Sequence, residues 1–181
     1  MTIRTSEASD RAAIDAIHLS AFGQAQGREI VALVHALEAD DSAEPRLSLV
    51  AQNEAGLVGH VLFTRATVES DAQRVDAQIL APLAVHAAHQ GRGNGGALVR
   101  TGLAHLAQTG GGLVFVLGDP GYYSRFGFRA AAPLGLNAPY PLTAEYLQGW
   151  MVQELRPGLL GSVHGVVQCA HALDDPRHWC E

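Results

Sequence analysis

The chain of 181 residues is long enough for one folded domain with a substantial core, so we expect a single active cleft. Its hydrophobic fraction of 48% and charged fraction of 17% are typical of a globular protein and argue against a disordered one. All 12 basic residues are arginine, 18 residues are acidic, and the net charge is −6 without any basic tract. This balance argues against a nucleic-acid partner, and the absence of lysine excludes a P-loop ATPase, whose phosphate loop requires that residue.

Membrane and metal chemistry have little support in the sequence. No stretch approaches the roughly 18 apolar residues that cross a bilayer, and residues 1–10 lack a signal-peptide pattern, so we expect a cytoplasmic protein with no membrane partner. Cys169 and Cys180 form neither a CxxC pair nor a zinc spacing, and we interpret both as structural or incidental. His86 and His89 form an H-x-x-H pattern without an evident third ligand, so no metal site is predicted.

The first forty residues predict a strand and two helices. Residues 2–5 form a short strand, and Ser9 and Asp10 can cap the helix that follows. We expect a break over residues 23–27. A second amphipathic helix then follows from an apolar stripe with i, i+3, i+4, i+7 spacing, formed by Ile30, Leu33, Val34 and Leu37.

The middle of the chain predicts a hairpin and a parallel strand pair. Residues 47–52 and 57–68 are strand-like and separated by a glycine-containing turn, which favours a hairpin. Residues 76–85 form the fourth strand, and residues 113–117 form an apolar fifth strand after a helix and a glycine run. This strand, loop, helix and strand succession predicts a right-handed βαβ unit with a cofactor site at the carboxyl end of its first strand. Beyond it, residues 150–155 and 163–170 are also strand-like.

A glycine-rich loop joins the fourth strand to the helix after it. Glycines let the backbone approach an anion closely, and the first N–H groups of the helix, with its dipole, converge there. The sequence therefore predicts a pyrophosphate site made by Gln90, Gly91, Arg92, Gly93, Asn94, Gly95 and Gly96.

Two alternatives for this loop stay open. A glycine cluster is often only a flexible turn. A dinucleotide-binding fold is the second alternative, because Gly91, Gly93 and Gly96 also satisfy G-x-G-x-x-G. Against the dinucleotide fold, the chain has one βαβ unit, and five residues separate Val85 from Gly91.

Three motifs in order carry a resemblance to a known family. Gln90, Gly93 and Gly95 match Q/R-x-x-G-x-G/A, the signature that follows the fourth strand in the GNAT-type N-acetyltransferase superfamily. The other motifs are LAPLAV at residues 80–85, and LGDP and YYSRFGF within residues 117–128. Together they resemble the YhbS-like subgroup of bacterial acetyltransferases.

The resemblance implies an α/β fold, called α+β by some schemes, with one GNAT-like domain over residues 1–181. It implies a central mixed sheet that is splayed between strands 4 and 5 and has helices on both faces. Residues 1–130 would form the core with the cofactor motif, and residues 131–181 the C-terminal strands and an acceptor-side elaboration. A homodimer contact through these C-terminal strands is left open.

The resemblance also implies the co-substrate, acetyl-CoA, and the way it binds, with no metal. The pantetheine arm would lie between the parted strands and pair with backbone groups of Leu83, Ala84 and Val85. A backbone N–H near Leu83 or Ala84 would polarise the acetyl carbonyl. Pro82 would then be tolerated because a neighbouring strand is missing there.

Tyr123 is the expected general acid. It lies four residues before Gly127, where the family's tyrosine faces the cofactor sulfur, and a phenol can donate to a thiolate. The neighbouring Tyr122 is the competing candidate, and a buried aromatic residue is often only part of the core. Where relatives carry an Asn after the fifth strand, this chain has Asp119, which can cap the short helix after it.

The general base is less well defined. Many relatives place a Glu on the fourth strand, whereas residues 78–82 here contain no carboxylate. Glu29 on the second helix is the candidate base, with a solvated first-turn carboxylate as the plainer interpretation. His60 on the third strand is a weaker candidate.

The sequence thus predicts an acetyl-CoA-dependent N-acetyltransferase that moves an acetyl group directly to an amine of a small molecule, peptide or protein. The acidic net charge favours a cationic acceptor. Because no base is evident, a non-catalytic acyl-CoA-binding sensor or regulatory module remains the alternative.

Overall fold

The structure is a computed structural model, and it describes residues 1–70 and 73–179. The strands in this part of the chain are β1 (Thr2–Thr5), β2 (Leu47–Asn53), β3 (Gly56–Glu69), β4 (Arg74–Val85), β5 (Leu113–Leu117), β6 (Arg129–Ala130), β7 (Leu136–Asn137), β8 (Trp150–Glu154) and β9 (Gly165–Cys169). The α-helices are α1 (Arg11–Phe22), α2 (Gln24–Ala39), α3 (Asn94–Gln108), α4 (Pro120–Tyr123) and α5 (Ala144–Leu147).

The strands form one mixed sheet in the order β1-β2-β3-β4-β5-β8-β6. The βαβ prediction is confirmed, because β4 and β5 run parallel and α3 connects them. The other neighbours along this path are antiparallel, including the predicted β2–β3 hairpin. β9 pairs with the second half of β3 at residues 66–68, beyond the part that β2 covers, and also with β7.

Helices cover both faces of the sheet, as expected. On one face, Leu98 and Leu103 of α3 pack with sheet residues such as Phe63 and Val114. On the other face, the end of α2 packs into a core that includes Phe115 of β5. The helix α1 joins α2 and β2 in a smaller cluster formed by Ile14, Val34 and Val50.

β4 and β5 part after a short paired segment. Their pairs are Ala77–Leu113, Gln78–Val114 and Ile79–Phe115. Beyond these pairs, β5 continues only against β8 and β4 only against β3, so a gap opens between them. The β3–β4 register also shifts beside Pro82, which lies past the last β4–β5 pair, so its missing N–H costs no bond to β5.

The expected break over residues 23–27 is wrong. Only Gly23 interrupts the helices, with a φ of 77°, and α2 begins at Gln24. Gly27 lies inside α2 and packs against α1, since a Cβ there would be 2.9 Å from the Cα of Leu19. Glycine at this position therefore allows two helices to approach closely, which its sequence context did not reveal.

The predicted cap of α1 is also different in the structure. The Asp10 carboxylate makes no side-chain cap to α1 and instead accepts from the backbone N–H of Glu7 at 2.8 Å. It also forms a bidentate pair with Arg4, at 2.7 and 2.9 Å. Arg4 holds the pKa of this carboxyl below its usual range, and the pair ties the end of β1 to the turn before α1.

A substitution at Gly102 tests how tightly α3 packs against the sheet. A Cβ at this position would overlap the Phe63 ring, so we expect Gly102→Ala to lower the free energy of unfolding by about 2 kcal/mol, despite the better helix propensity of alanine. Urea unfolding measures this change. The exposed Thr101→Ala on the same helix is the control and should change stability little. A Gly102→Ala protein as stable as the parent would show that α3 does not pack this tightly.

Candidate active site

The glycine-rich loop is held in place by its own side chains. The Gln90 carboxamide donates to the carbonyl of Val85 at 3.0 Å, and the Asn94 carboxamide donates to the carbonyl of His89 at 2.8 Å. Gly91 and Gly93 have φ values of 70° and 82°, a conformation that favours glycine. Gln90 and Asn94 were predicted to bind a cofactor; each side chain uses one N–H to hold the loop, both residues also line the cavity above it, and their role in binding stays a prediction.

Consecutive backbone N–H groups are left without partners at the start of α3. The first bond of the helix runs from the N–H of Ala97 to the carbonyl of Gly93, at 3.0 Å. No acceptor in the described part of the chain contacts the N–H groups of residues 91–96. These donors and the positive end of the helix dipole suit a negatively charged group.

A cavity of about 390 Å³ opens above these donors. Its lining residues come from the end of β4, the loop, α3 and the segment after β5. They are Val85, His89, Gln90, Gly91, Gly93, Asn94, Gly95, Gly96, Arg100, Tyr122, Arg125 and Phe126. The loop residue Arg92 is exposed and does not line the cavity.

Two arginines make the cavity positive, and the sequence analysis missed both. The Arg125 guanidinium lies 4.5 Å from the centre of the Tyr122 ring, and Arg100 lies 5.4 Å from the centre of the Phe126 ring. Neither forms an ion pair with a carboxylate among residues 1–70 and 73–179, so both charges are available to an anion. Arg100 follows Gly96 by four residues, one helix turn, which is the signal that could have identified it.

The close approach of the Tyr122 hydroxyl leaves no room for a side chain at residue 95. A Cβ at Gly95 would lie 2.7 Å from the Tyr122 hydroxyl oxygen, so a larger residue would push the phenol out of the cavity. Burial raises the pKa of Tyr122, while the nearby Arg125 and Arg100 act in the opposite direction. Tyr122 is thus a neutral lining residue of the anion cavity.

Tyr123 occupies a different place. It lies behind Tyr122, with ring centres 5.0 Å apart, and is only 8% exposed. Its ring rests on Gly118, directly after β5, so it stands beside the gap where β5 has left β4. Burial raises its pKa, which keeps the phenol protonated at neutral pH. A neutral phenol beside the gap has the form that a proton donor needs.

The gap residues Leu83, Ala84 and Val85 pair with β3 on one side only. Alternate backbone groups of this segment therefore point into the gap. The carbonyl of Val85 is already taken by Gln90. The gap begins where the anion cavity ends, because Val85 belongs to both. One ligand could therefore place a negatively charged group at the loop and an extended arm in the gap.

The predicted cap at Asp119 is confirmed. Its carboxylate accepts from the N–H of Gly121 at 2.8 Å, at the start of α4. This contact fixes the turn that carries both tyrosines.

Glu29 is not brought to the cavity. It is exposed on α2, and it belongs to the second turn because the helix begins at Gln24, so the first-turn interpretation is wrong. Its charge contributes to raising the pKa of Arg177 near the C-terminus, although Asp175 has the larger effect. Its role as a base stays a prediction.

His60 has no ring nitrogen free to act as a base. It is fully buried, and its two nitrogens lie 2.9 Å from Nε2 of His18 and 3.0 Å from the Ser48 hydroxyl. Burial lowers the pKa of His60 to about 3, so it stays neutral at the pH where an amine must lose a proton. It belongs to the core and not to the site.

The described residues contain neither a metal-binding cluster nor a membrane-spanning helix. No cluster of three or more His, Cys, Asp or Glu side chains within residues 1–70 and 73–179 is placed to hold a metal ion. Likewise, no helix in those two stretches has the length and apolar character needed to cross a bilayer.

Comparison with known proteins identifies the family. Residues 2–131 match a family model described as acetyltransferase (GNAT) domain. The chain belongs to the GNAT family of N-acetyltransferases. The acetyltransferase is 42% identical over 170 residues to YjhQ of Escherichia coli K12, an uncharacterized N-acetyltransferase, covering 93% of this chain and 92% of YjhQ. It is 36% identical over 171 residues to YhbS of the same organism, also an uncharacterized N-acetyltransferase, covering 93% and 95%.

Solved structures agree with the fold of this acetyltransferase. The crystal structure of YhbS from Escherichia coli, in complex with CoA, matches with a TM-score of 0.84 and 31% identity over 96% of this chain and 92% of YhbS. A GNAT acetyltransferase from Brucella melitensis, in complex with acetyl-CoA, matches with a TM-score of 0.73 and 30% identity over 96% and 97%. The resemblance and the splayed mixed sheet predicted from sequence are confirmed, and the dinucleotide-binding alternative was wrong.

Proposed function

We propose that this acetyltransferase binds acetyl-CoA with the diphosphate on the backbone N–H groups of residues 91–96 and the pantetheine arm in the gap between β4 and β5. The observation that carries the proposal is the row of unpartnered N–H groups that adjoins this gap through Val85. The unpaired charges of Arg100 and Arg125 add attraction for phosphate. Two relatives of the same fold were crystallised with CoA and acetyl-CoA, which supports the same ligand here.

In the proposed reaction, an acceptor amine attacks the acetyl carbonyl directly. The new C–N bond forms as the C–S bond breaks, the amine loses a proton, and the departing thiolate gains one. A backbone N–H near Leu83 or Ala84 would stabilise the oxyanion, since this segment has one unpaired side. Tyr123 would protonate the thiolate from its place beside the gap.

The proton of the amine has no obvious receiver in the fourth strand. Residues 78–82 carry no carboxylate, and His60 is unavailable. An amine with an ordinary pKa near ~10 is mostly protonated at neutral pH, so the proton must leave through water or Glu29. The proposed acceptor is therefore defined only as an amine, from a small molecule, a peptide or a protein.

The deciding experiment measures CoA thiol release from acetyl-CoA with a panel of small amines, polyamines and peptides. The proposed function predicts amine-dependent release with linear progress from the first turnover, because transfer is direct. A burst from an acetyl-enzyme would contradict direct transfer. Saturable CoA binding without turnover of any amine would favour the alternative, an acyl-CoA-binding regulatory module, which the absence of a carboxylate at residues 78–82 keeps under test.

Arg125→Ala is expected to raise the Kd for CoA about tenfold. The change removes an unpaired cation from the anion cavity, and one charge-assisted hydrogen bond is worth about that factor. Isothermal titration calorimetry measures the effect, which should shrink at high salt. Arg129→Ala is the matched control, because Arg129 is exposed on β6 and does not line the cavity, and it should bind CoA as the parent does. Equal losses in the two variants would contradict the assignment.

A further inference from the structure

The gap between β4 and β5 has one side on each face of the sheet. On the α3 face, Leu83 and Tyr123 belong to the core that α3 covers, and Tyr122 and Phe126, which pack against the same core, line the anion cavity. A cofactor held at the glycine-rich loop therefore reaches the gap from the α3 face. The acceptor is left with the α2 face, from which its amine would attack a carbonyl held in the gap.

On the α2 face the walls of the gap are apolar. Ile79 and Phe115 form the last β4–β5 pair, and Ala81 and Leu117 each lie two residues farther along their strands. Side chains alternate along a strand, so Ala81 and Leu117 stand on the face of that last pair, on opposite sides of the gap. Both are half-buried and pack against the core below α2, as does Leu33 of α2. An acceptor entering from this face meets aliphatic side chains.

The two strands that bound the gap carry no charge beside it. Residues 77–85 and 113–117 contain no ionisable side chain. Beyond them in the chain, Nδ1 of His86 accepts from a backbone N–H at 3.3 Å, and the carboxylate of Asp119 caps α4. The net charge of −6 attracts cations to the surface as a whole, but these walls offer no counter-charge to a desolvated ammonium.

The titratable side chains that neighbour the gap do not supply a base. Burial keeps Tyr123 protonated and His60 neutral, so neither carries a charge. Tyr140, which packs on the core below α2, donates its hydroxyl to Asp174 at 3.0 Å, and this bond raises the pKa of Tyr140. Glu29 stands in solvent on α2, outside the apolar walls. An acceptor amine must therefore arrive with its lone pair already free of a proton.

We propose that the acceptor is a weakly basic amine attached to an apolar group, and that it binds uncharged on the α2 face of the gap. This inference rests on the proposed function and names its substrate class. An alkylamine has a pKa of about 10.4 and a peptide α-amine one of about 7.8, so at pH 7 the unprotonated fraction of the α-amine is about 300-fold larger. Aromatic amines share this chemistry, because they are also uncharged at neutral pH.

The reaction then needs no base before the attack. The free lone pair forms the C–N bond, and the nitrogen, which is strongly acidic once it has attacked, loses its proton to water. The C–S bond breaks, and the departing thiolate takes its proton from Tyr123 as in the proposed function.

The first experiment compares three matched amines as acceptors for acetyl-CoA with the full chain. Isoamylamine has the branched chain of L-leucinamide but is strongly basic, and glycinamide has the weakly basic amine without the branched chain. At pH 7 we expect kcat/KM for L-leucinamide to exceed both of the others by about tenfold. From pH 7 to 9, kcat/KM should rise about tenfold per pH unit for isoamylamine and level off near pH ~8 for L-leucinamide.

The possible outcomes separate this inference from the proposed function. Isoamylamine or glycinamide turned over as well as L-leucinamide would overturn the inference and leave acetyl transfer standing. A plateau near neutral pH for isoamylamine would reveal a base in the site, and its loss in Glu29→Gln would identify that base. No turnover of any amine would remove both proposals. A peptide with an N-terminal leucine and 4-ethylaniline, run in parallel, distinguish a peptide acceptor from an aromatic one.

Variants then test the apolar wall. Leu117→Ala should lower kcat/KM for L-leucinamide about tenfold and change that for glycinamide little, because only the branched chain loses contact. Val166→Ala, exposed on β9, is the control and should behave as the parent. If Leu117→Ala does not fold, Ala81→Leu on the facing wall must reduce turnover of L-leucinamide more than that of glycinamide. An unchanged preference for L-leucinamide in a folded wall variant overturns the assignment.

Discussion

Tyr123→Phe is expected to lower kcat about 100-fold while leaving the KM for acetyl-CoA nearly unchanged. The variant removes only the hydroxyl, and the ring stays packed on Gly118 between Tyr122 and Phe128. The thiolate would then leave without a proton donor. Burial raises the pKa of Tyr123, so the donor form persists through neutral and mildly alkaline pH in the parent. Steady-state kinetics with a turned-over amine gives both constants.

Tyr122→Phe is the control for this experiment, because the two rings are adjacent but face different places. The Tyr122 hydroxyl sits against Gly95 in the anion cavity, so its loss should raise KM and leave kcat almost intact. The opposite pattern, with Tyr122→Phe losing kcat and Tyr123→Phe fully active, would transfer the acid role to Tyr122. Full activity in both variants would remove a tyrosine acid from the mechanism.

Lowering the pH from 7.5 to 5.0 is expected to cost the fold about 2 kcal/mol for each of His18 and His60. Burial lowers the pKa of His18 to about 4 and that of His60 to about 3, whereas both titrate near 6.5 in the unfolded chain. Below pH 6.5 the unfolded chain therefore binds protons that the folded chain does not. Stability is present above pH 6.5 and declines as the pH falls toward 4. Urea unfolding at the two pH values measures the difference.

Neighbouring groups of His18 and His60 also influence how much stability is lost on acidification. Asp15 favours the charged form of His18 but is less influential than burial, and Asp15 itself lies 2.9 Å from Nε2 of His35. His60→Asn should be less stable at pH 7.5 yet decline less on acidification, because one buried imidazole is gone. The exposed His178→Asn should follow the parent. A parent protein equally stable at both pH values would show that the pair can be protonated in the folded state.

Local features of the chain were predictable from sequence. The glycine-rich loop lies between β4 and α3, where the sequence placed it, and Asp119 caps α4 as expected. The apolar runs of β5 and the β2–β3 hairpin were also found where the pattern placed them. These features depend on neighbours in sequence, so the sequence contains the needed information.

Features that depend on distant contacts were not predictable. Arg125 reaches the anion cavity only because the segment after β5 packs against the start of α3. The two tyrosines are adjacent on one short helix, and only the packing shows that Tyr122 faces the cavity. His18 and His60 are 42 residues apart, and nothing in either local pattern indicates that their rings meet.

The bonds from Gln90 and Asn94 to nearby carbonyls have a consequence for cofactor exchange. Since these carboxamides already hold the loop in place, the proposed binding of acetyl-CoA there would cost little conformational entropy for ordering the loop. The association rate constant should then approach the diffusion limit. Differences in affinity among loop variants should therefore appear mainly in the dissociation rate constant of CoA. The glutamine of the family signature would thus influence residence time through its bond to the carbonyl of Val85.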